Sequence, residues 1–224
     1  MPKGERDYTS RSVATIAASG ILGGRIIFRE DFESLPIRST VPGDTFAIET
    51  GTGTVWEGDA SGSHILTNGV LDIYELHFPA PTPDIISAEV IFRPSNYNLE
   101  DTYFRFYIND GSTYHYTGFR VRYTGTSTVL EILNEAAAWE IVKTIVDNVI
   151  QNKWHILYFR VDLGSEKYEF GQFDTTRVPL TSYQYPRETG TYPPLGTAEL
   201  GNKALAGLDT TVYFDNLTLA YEET

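Results

Sequence analysis

Tyr103-Phe104-Arg105-Phe106-Tyr107-Ile108-Asn109-Asp110-Gly111, followed by Tyr116-Thr117-Gly118-Phe119-Arg120-Val121-Arg122-Tyr123, is the stretch whose reading decides the fold. Successive side chains of a strand point to opposite faces, so period-2 alternation marks a half-buried strand. Phe104, Phe106 and Ile108 make one face here, and Tyr103, Arg105 and Tyr107 the other. In the second half Phe119 and Val121 alternate with Arg120 and Arg122. Between them Asn109-Asp110-Gly111 supplies residues that tolerate positive φ, so the two segments read as an antiparallel hairpin. Trp154–Leu163 repeats the pattern, with Leu157, Phe159 and Val161 against Trp154, Tyr158 and Arg160. It joins Tyr168–Asp174 through Gly164-Ser165-Glu166.

Working outward, strand signals recur at Ile26–Glu33, Phe46–Glu49, Gly53–Glu57, Val70–Glu75, Ile85–Arg93, Thr128–Leu133, Trp139–Val146 and Thr210–Ala220, each bounded by turn residues. Only Asn134–Ala138 and Asp147–Gln151 carry a hint of helical turn, and the Pro-, Gly- and Tyr-rich stretch Pro179–Gly196 reads as a surface loop. No amphipathic crossover helices separate the strands, which excludes a parallel sheet. The expected fold is all-β: a two-sheet antiparallel sandwich of jelly-roll type. The composition agrees, with 15 Tyr and 12 Phe against one Met in 224 residues.

Residues 1–25 differ from the rest. Ser10 or Thr9 caps an expected short helix over Arg11–Ser19, with Val13 and Ile16 on one face, and Gly20, Gly23 and Gly24 lead into the first strand. The apolar stretch Val13–Leu22 is diluted by Thr15, Ser19 and Gly20, and Glu5 and Asp7 interrupt its basic flank, so it reads as an uncleaved segment. The expected organisation is an N-terminal arm, 1–25, on a sandwich domain, 26–224.

Net charge is −13, unevenly spread: residues 1–29 hold five basic and two acidic groups, and the remainder 12 basic and 28 acidic. An acidic body disfavours phosphate backbones, so no nucleic-acid partner is expected. No apolar run is long enough to span a bilayer, so no membrane insertion is expected. A basic arm on an acidic body suits docking onto a neighbouring copy, through Arg6 and Arg11 with Val13 and Ile16. The absence of cysteine removes disulfides, thiolate metal sites and thiol catalysis.

Phe28-Arg29-Glu30-Asp31-Phe32-Glu33 near the start and Val212-Tyr213-Phe214-Asp215-Asn216-Leu217-Thr218-Leu219 near the end, with the Trp154–Asp174 hairpin between, resemble the concanavalin A-like and laminin G-like jelly rolls. The resemblance includes carbohydrate-binding modules and covers residues 26–220. It implies a structural calcium where first and last strands meet, at Asp31, Glu33 and Asp215. The plainer alternative is that Asp215 caps a turn or pairs with an arginine.

Catalytic signatures are missing. There is no Gly-x-Ser-x-Gly and no Glu-x-Asp-x-x-Glu, and His64, His77, His115 and His155 are scattered without zinc spacing. Asn216-Leu217-Thr218 matches a glycosylation sequon but falls inside an expected strand. The informative pattern is the Tyr/Arg set: Tyr103, Arg105, Tyr107, Arg120, Arg122, Trp154, Tyr158 and Arg160 share one sheet face if their strands are neighbours. Aromatic rings stack on sugars and arginine reads hydroxyls or carboxylates, while the same residue types form protein interfaces. A third reading pairs these arginines with Glu131 or Glu169 on a solvated face. Function is therefore expected to be non-catalytic. It is either a structural subunit of a virion or surface layer (such as a capsid-decorating protein) that contacts other copies or shell proteins, or a lectin-like carbohydrate-binding module, with a glycoside hydrolase or lyase built on paired acids from distant strands as the third reading. The expected location is a virion or extracellular assembly.

Overall fold

The computed structural model describes residues 25–30, 46–50, 61–67, 69, 71–78, 85–145, 152–190 and 194–222. Among the described residues fifteen strands make two sheets, and every pairing between them is antiparallel. In chain order they are β1 (Arg25–Glu30), β2 (Phe46–Glu49), β3 (Ser61–Leu66), β4 (Leu71–Phe78), β5 (Ile85–Pro94), β6 (Leu99–Asn109), β7 (Thr113–Tyr123), β8 (Thr128–Leu133), β9 (Trp139–Ile145), β10 (His155–Asp162), β11 (Lys167–Phe173), β12 (Thr176–Pro179), β13 (Arg187–Thr189), β14 (Leu195–Ala204) and β15 (Thr210–Glu222). The first sheet runs β12-β11-β10-β5-β15-β3-β2, with β1 also on β15, and the second runs β4-β14-β6-β7-β8-β9, with β13 also on β7. The all-β two-sheet sandwich expected from alternation is the fold. Among the described residues there is no helix, and none long and apolar enough to cross a membrane.

The two inner faces supply the core. Phe159 of the first sheet stacks on Phe106 of the second at 5.4 Å and meets Phe104 edge-on at 6.2 Å. Phe104, Phe106, Ile108, Phe119, Val121, Leu157 and Val161 are all buried there, as the alternation requires. The turn after β6 follows its residue types. Gly111 has φ +100°, its N–H donates to Asn109 Oδ1 at 2.8 Å, and Asp110 accepts from the Ser112 and Thr113 amides at 2.8 Å each. At the β10–β11 turn Glu166, rather than Gly164, takes positive φ (61°).

Two strands share their partners end to end. On one edge of β15, β3 pairs Thr210–Phe214 and β1 pairs Leu217–Tyr221. The switch falls at an irregularity where Asn216 has φ +49°. On one edge of β7, β13 covers Thr113–His115 and β8 covers Phe119–Tyr123. Gly118 lies between those spans, and Tyr168 of the opposite sheet completes it. Its hydroxyl accepts the Gly118 N–H at 3.0 Å and donates to the Leu133 carbonyl at 2.9 Å.

Several expectations need correction. β3, β12, β13 and β14 carry no clear alternation and lie outside the strands that the sequence pattern predicts. Pro179–Gly196 is not one loop, because β13 and the start of β14 lie in it. Asn134–Ala138 is the β8–β9 turn, closed by the Ala137 N–H on the Asn134 carbonyl at 2.8 Å. Trp154 precedes β10 rather than opening it. The strand expected at Gly53–Glu57, the arm helix at Arg11–Ser19 and the turn expected at Asp147–Gln151 lie outside the described residues.

Candidate functional site

Because Phe104, Phe106 and Phe119 turn inward, their neighbours on β6 and β7 must turn outward. Cross-strand register then sets out the outer face of the second sheet row by row. One row reads His77, Thr197, Tyr107 and Tyr116; the next reads Glu75, Glu199, Arg105 and Gly118; a third reads Ile73, Gly201, Tyr103, Arg120, Glu131 and Ile141. Asp101 and Arg122 follow in the fourth.

Two glycines shape this face. A Cβ at Gly201 would stand 2.1 Å from Tyr103 Cζ, and one at Gly118 would stand 3.0 Å from the Trp139 ring. Tyr103 therefore lies across β14 and Trp139 across β7, each in space a side chain would otherwise take. The two rings are 5.7 Å apart. Beside them Tyr107, Tyr114 and Tyr116 form a cluster with centroids 4.6–6.1 Å apart. Tyr103 is 4% exposed and its hydroxyl has no hydrogen-bond partner among the described residues, while Tyr107, Tyr114, Tyr116 and Trp139 are half-buried.

The cations between the rings are all engaged. Arg105 lies over Tyr103 and Tyr107 and pairs with Glu199. Arg120 sits 4.4 Å from the Trp139 centroid and bonds Glu131 at 2.6 Å, with Asp101 at 3.5 Å. Arg122 takes the other oxygen of Glu131 at 2.7 Å. Burial alone would raise the Glu131 carboxyl, but hydrogen bonds from Arg122 and Arg120 hold it below its ordinary value. Burial pushes Glu199 up against the opposing pull of Arg105, and pushes Asp101 up to about 6 against Arg120. Burial likewise raises the phenols of Tyr103 and Tyr107, so both stay protonated donors at neutral pH.

Of the expected face, Tyr103, Arg105, Tyr107, Arg120 and Arg122 come together. Trp154, Tyr158 and Arg160 do not: they belong to β10 and the residue before it, in the other sheet, because alternation fixes a side chain's face but not its sheet. Tyr158 is fully buried against Phe170, Arg160 pairs with Glu169 at 2.5 Å, and Trp154 stacks on Arg93. The pairing reading thus holds for Arg120 and Arg122 with Glu131 and for Arg160 with Glu169. Sequence reasoning missed Trp139, Glu199, Glu75 and Tyr116. The isolated Gly118 within a strongly aromatic strand was the available signal of a close approach.

The histidines are dispersed. His64 is buried against Phe214, where desolvation lowers its pKa to about 3, His155 is bonded to Asp174 at 2.8 Å, and His77 to Thr197 at 3.0 Å. Among the described residues no three His, Cys, Asp or Glu gather as metal ligands. Asp215 is fully buried, with one oxygen accepting the Asn216 N–H at 2.7 Å. Asp31 and Glu33 lie outside the described residues, as do Arg6, Arg11, Val13 and Ile16. Asn216 and Thr218 of the sequon are buried in β15.

No family model matches the chain, and no curated protein does. Solved structures do. An endo-β-1,4-glucuronan lyase from the fungus Trichoderma reesei superposes with TM-score 0.56 at 12% identity, covering 87% of this chain and 95% of its own. A carbohydrate esterase from the Shiga toxin-encoding bacteriophage phi24B gives 0.52 at 15%, covering 90% and 100%. The carbohydrate recognition domain of Emp47p gives 0.51 at 12%, covering 88% and 97%. At these identities the likeness is one of architecture. The chain is a concanavalin A-like antiparallel β-sandwich, at the level of its fold.

Proposed function

We propose that this chain is a non-catalytic carbohydrate-binding β-sandwich whose ligand lies on the outer face of the second sheet. The observation that carries the reading is the pair of rings laid over glycines, Trp139 over Gly118 and Tyr103 over Gly201, beside a three-tyrosine cluster. The half-buried rings of Trp139, Tyr107, Tyr114 and Tyr116 match the apolar faces of sugars, with the buried Tyr103 ring packed beneath them. A carbohydrate recognition domain of the same architecture supports the reading. Binding rather than turnover is favoured by the engagement of Glu199: its facing carboxylate is Glu75, across the strand, and Arg105 pairs with Glu199 itself, so its oxygens serve to hold the arginine. A glycan array tests the proposal. Specific binding should fall at least about tenfold on Trp139→Ala or Tyr107→Ala, and a blank array would reject it. Sugar release abolished by Glu199→Gln would replace it with a hydrolase or lyase.

We further propose that the chain does this within a virion or surface assembly. The charge asymmetry between residues 1–29 and the remainder favours head-to-tail docking of copies, and a phage esterase shares the architecture. Size-exclusion chromatography with light scattering should show a concentration-dependent oligomer that dissociates in high salt; a monomer at every concentration would reject it.

A further inference from the structure

We infer that the outer face of the second sheet selects uncharged glycans and rejects polyuronides; this rests on the carbohydrate-binding reading above. An arginine-rich aromatic face ordinarily suits a sugar carboxylate, because the guanidinium fork matches it. Here that match is already taken. Arg105 is held by Glu199, Arg120 by Glu131 and Asp101, and Arg122 by Glu131, while Lys203 bonds Glu100 at 3.0 Å. These acids are not loose surface groups: the side chains of Glu131, Asp101 and Glu199 are 3%, 6% and 10% exposed. A uronate entering the face would have to draw an arginine away and leave a buried carboxylate uncompensated, which is far costlier than forgoing the contact.

The surplus sign is also wrong for an anion. Glu75 adds a carboxylate directly across from Glu199, and no cation pairs with it among the described residues. A uronate over Tyr107 would lie within a strand or two of both acids, in a chain of net charge −13. What the face offers instead is the half-buried Glu75 carboxylate as an acceptor for hydroxyl donors, beside the half-buried Tyr107, Tyr116 and Trp139 rings. That set suits the hydroxyl array of a neutral hexose.

Matched polymers test the inference. The full chain is titrated with neutral β-glucan, galactan and mannan, with glucuronan, alginate and polygalacturonate, and with the carboxyl-reduced form of each polyuronide, at physiological and low salt. A neutral or carboxyl-reduced polymer should bind at least about tenfold more tightly than any uronate polymer, with little dependence on salt. Equal or tighter binding of a uronate parent, weakening with salt, would overturn the inference and leave the carbohydrate-binding reading standing. Binding to no polymer would overturn both. Glu199→Gln gives an independent arm: it frees the Arg105 guanidinium, so polyuronide binding should rise about tenfold. Should that variant not fold, Glu75→Gln should narrow the preference for neutral polymers, and an unchanged preference would count against the charge argument.

Discussion

Gly201→Ala is the substitution that most sharply probes the ring-over-glycine arrangement. Gly201 lies in β14 between β4 and β6, so its backbone cannot move without disturbing both neighbours. The new methyl would stand 2.1 Å from Tyr103 Cζ, far inside van der Waals contact, and the ring must lift. If lifting exposes about half of the apolar area of a buried aromatic side chain, roughly 80–100 Å², the loss is about 2 kcal/mol. Alanine recovers about 0.5–1 kcal/mol through the smaller backbone entropy of its unfolded chain. The net cost is therefore about 1–1.5 kcal/mol. In a Tyr103→Ala background the clash is gone, and the same substitution should stabilise by that 0.5–1 kcal/mol, giving a coupling of about 2 kcal/mol. Urea unfolding followed by tryptophan fluorescence measures all four corners of the cycle. Gly201→Ala as stable as the parent with Tyr103 in place, or no coupling between the sites, would refute the arrangement.

Other outcomes follow from the same geometry. Asp101 titrates near 6 in the folded state, above its ordinary value, so its ionisation opposes folding. The penalty is absent below about pH 4 and complete above about pH 6, amounting to at most about 3 kcal/mol. Asp101→Asn should therefore gain stability over the parent as pH rises from 4 to 7; a difference that does not change with pH would contradict this. Tyr168→Phe removes the hydroxyl that bridges Gly118 and Leu133 between the sheets. It should cost about 1–3 kcal/mol in urea unfolding, since the Gly118 N–H is then left unsatisfied; a neutral effect would show that another group fills the gap. A structural calcium at Asp31, Glu33 and Asp215 remains a proposal. If it is bound, millimolar calcium should raise Tm and Asp215→Asn should remove the rise, whereas a Tm indifferent to calcium and chelator would reject it.

How much of this was readable in the chain depends on what alternation can encode. β6, β7, β8 and β10 were legible because large apolar residues alternate strictly with polar ones, and that pattern has one solution on a half-buried sheet. β14 was not, because Gly196 and Gly201 depress strand propensity. Those same glycines are there to admit the rings of Phe78 and Tyr103. β3 hides for another reason: Ser61, Ser63 and His64 are polar yet buried, with Ser63 donating to Glu49 at 3.2 Å and His64 bonded to Asn202 at 2.9 Å. The Tyr/Arg half of the candidate site could be read from β6 and β7 alone. Its acidic half arrives from β4, β8 and β14 through register, which no local pattern specifies. The same blindness assigned Trp154, Tyr158 and Arg160 to a face they do not share.

The most direct measurement is an amide chemical-shift titration of the isotopically labelled chain with the tightest-binding oligosaccharide. Shifts should concentrate at Gly118, Gly201 and the Trp139 indole, with their neighbours on β6, β7 and β14. Shifts confined to the first sheet or to the turns, with those groups unmoved at saturation, would place the ligand elsewhere and contradict the account.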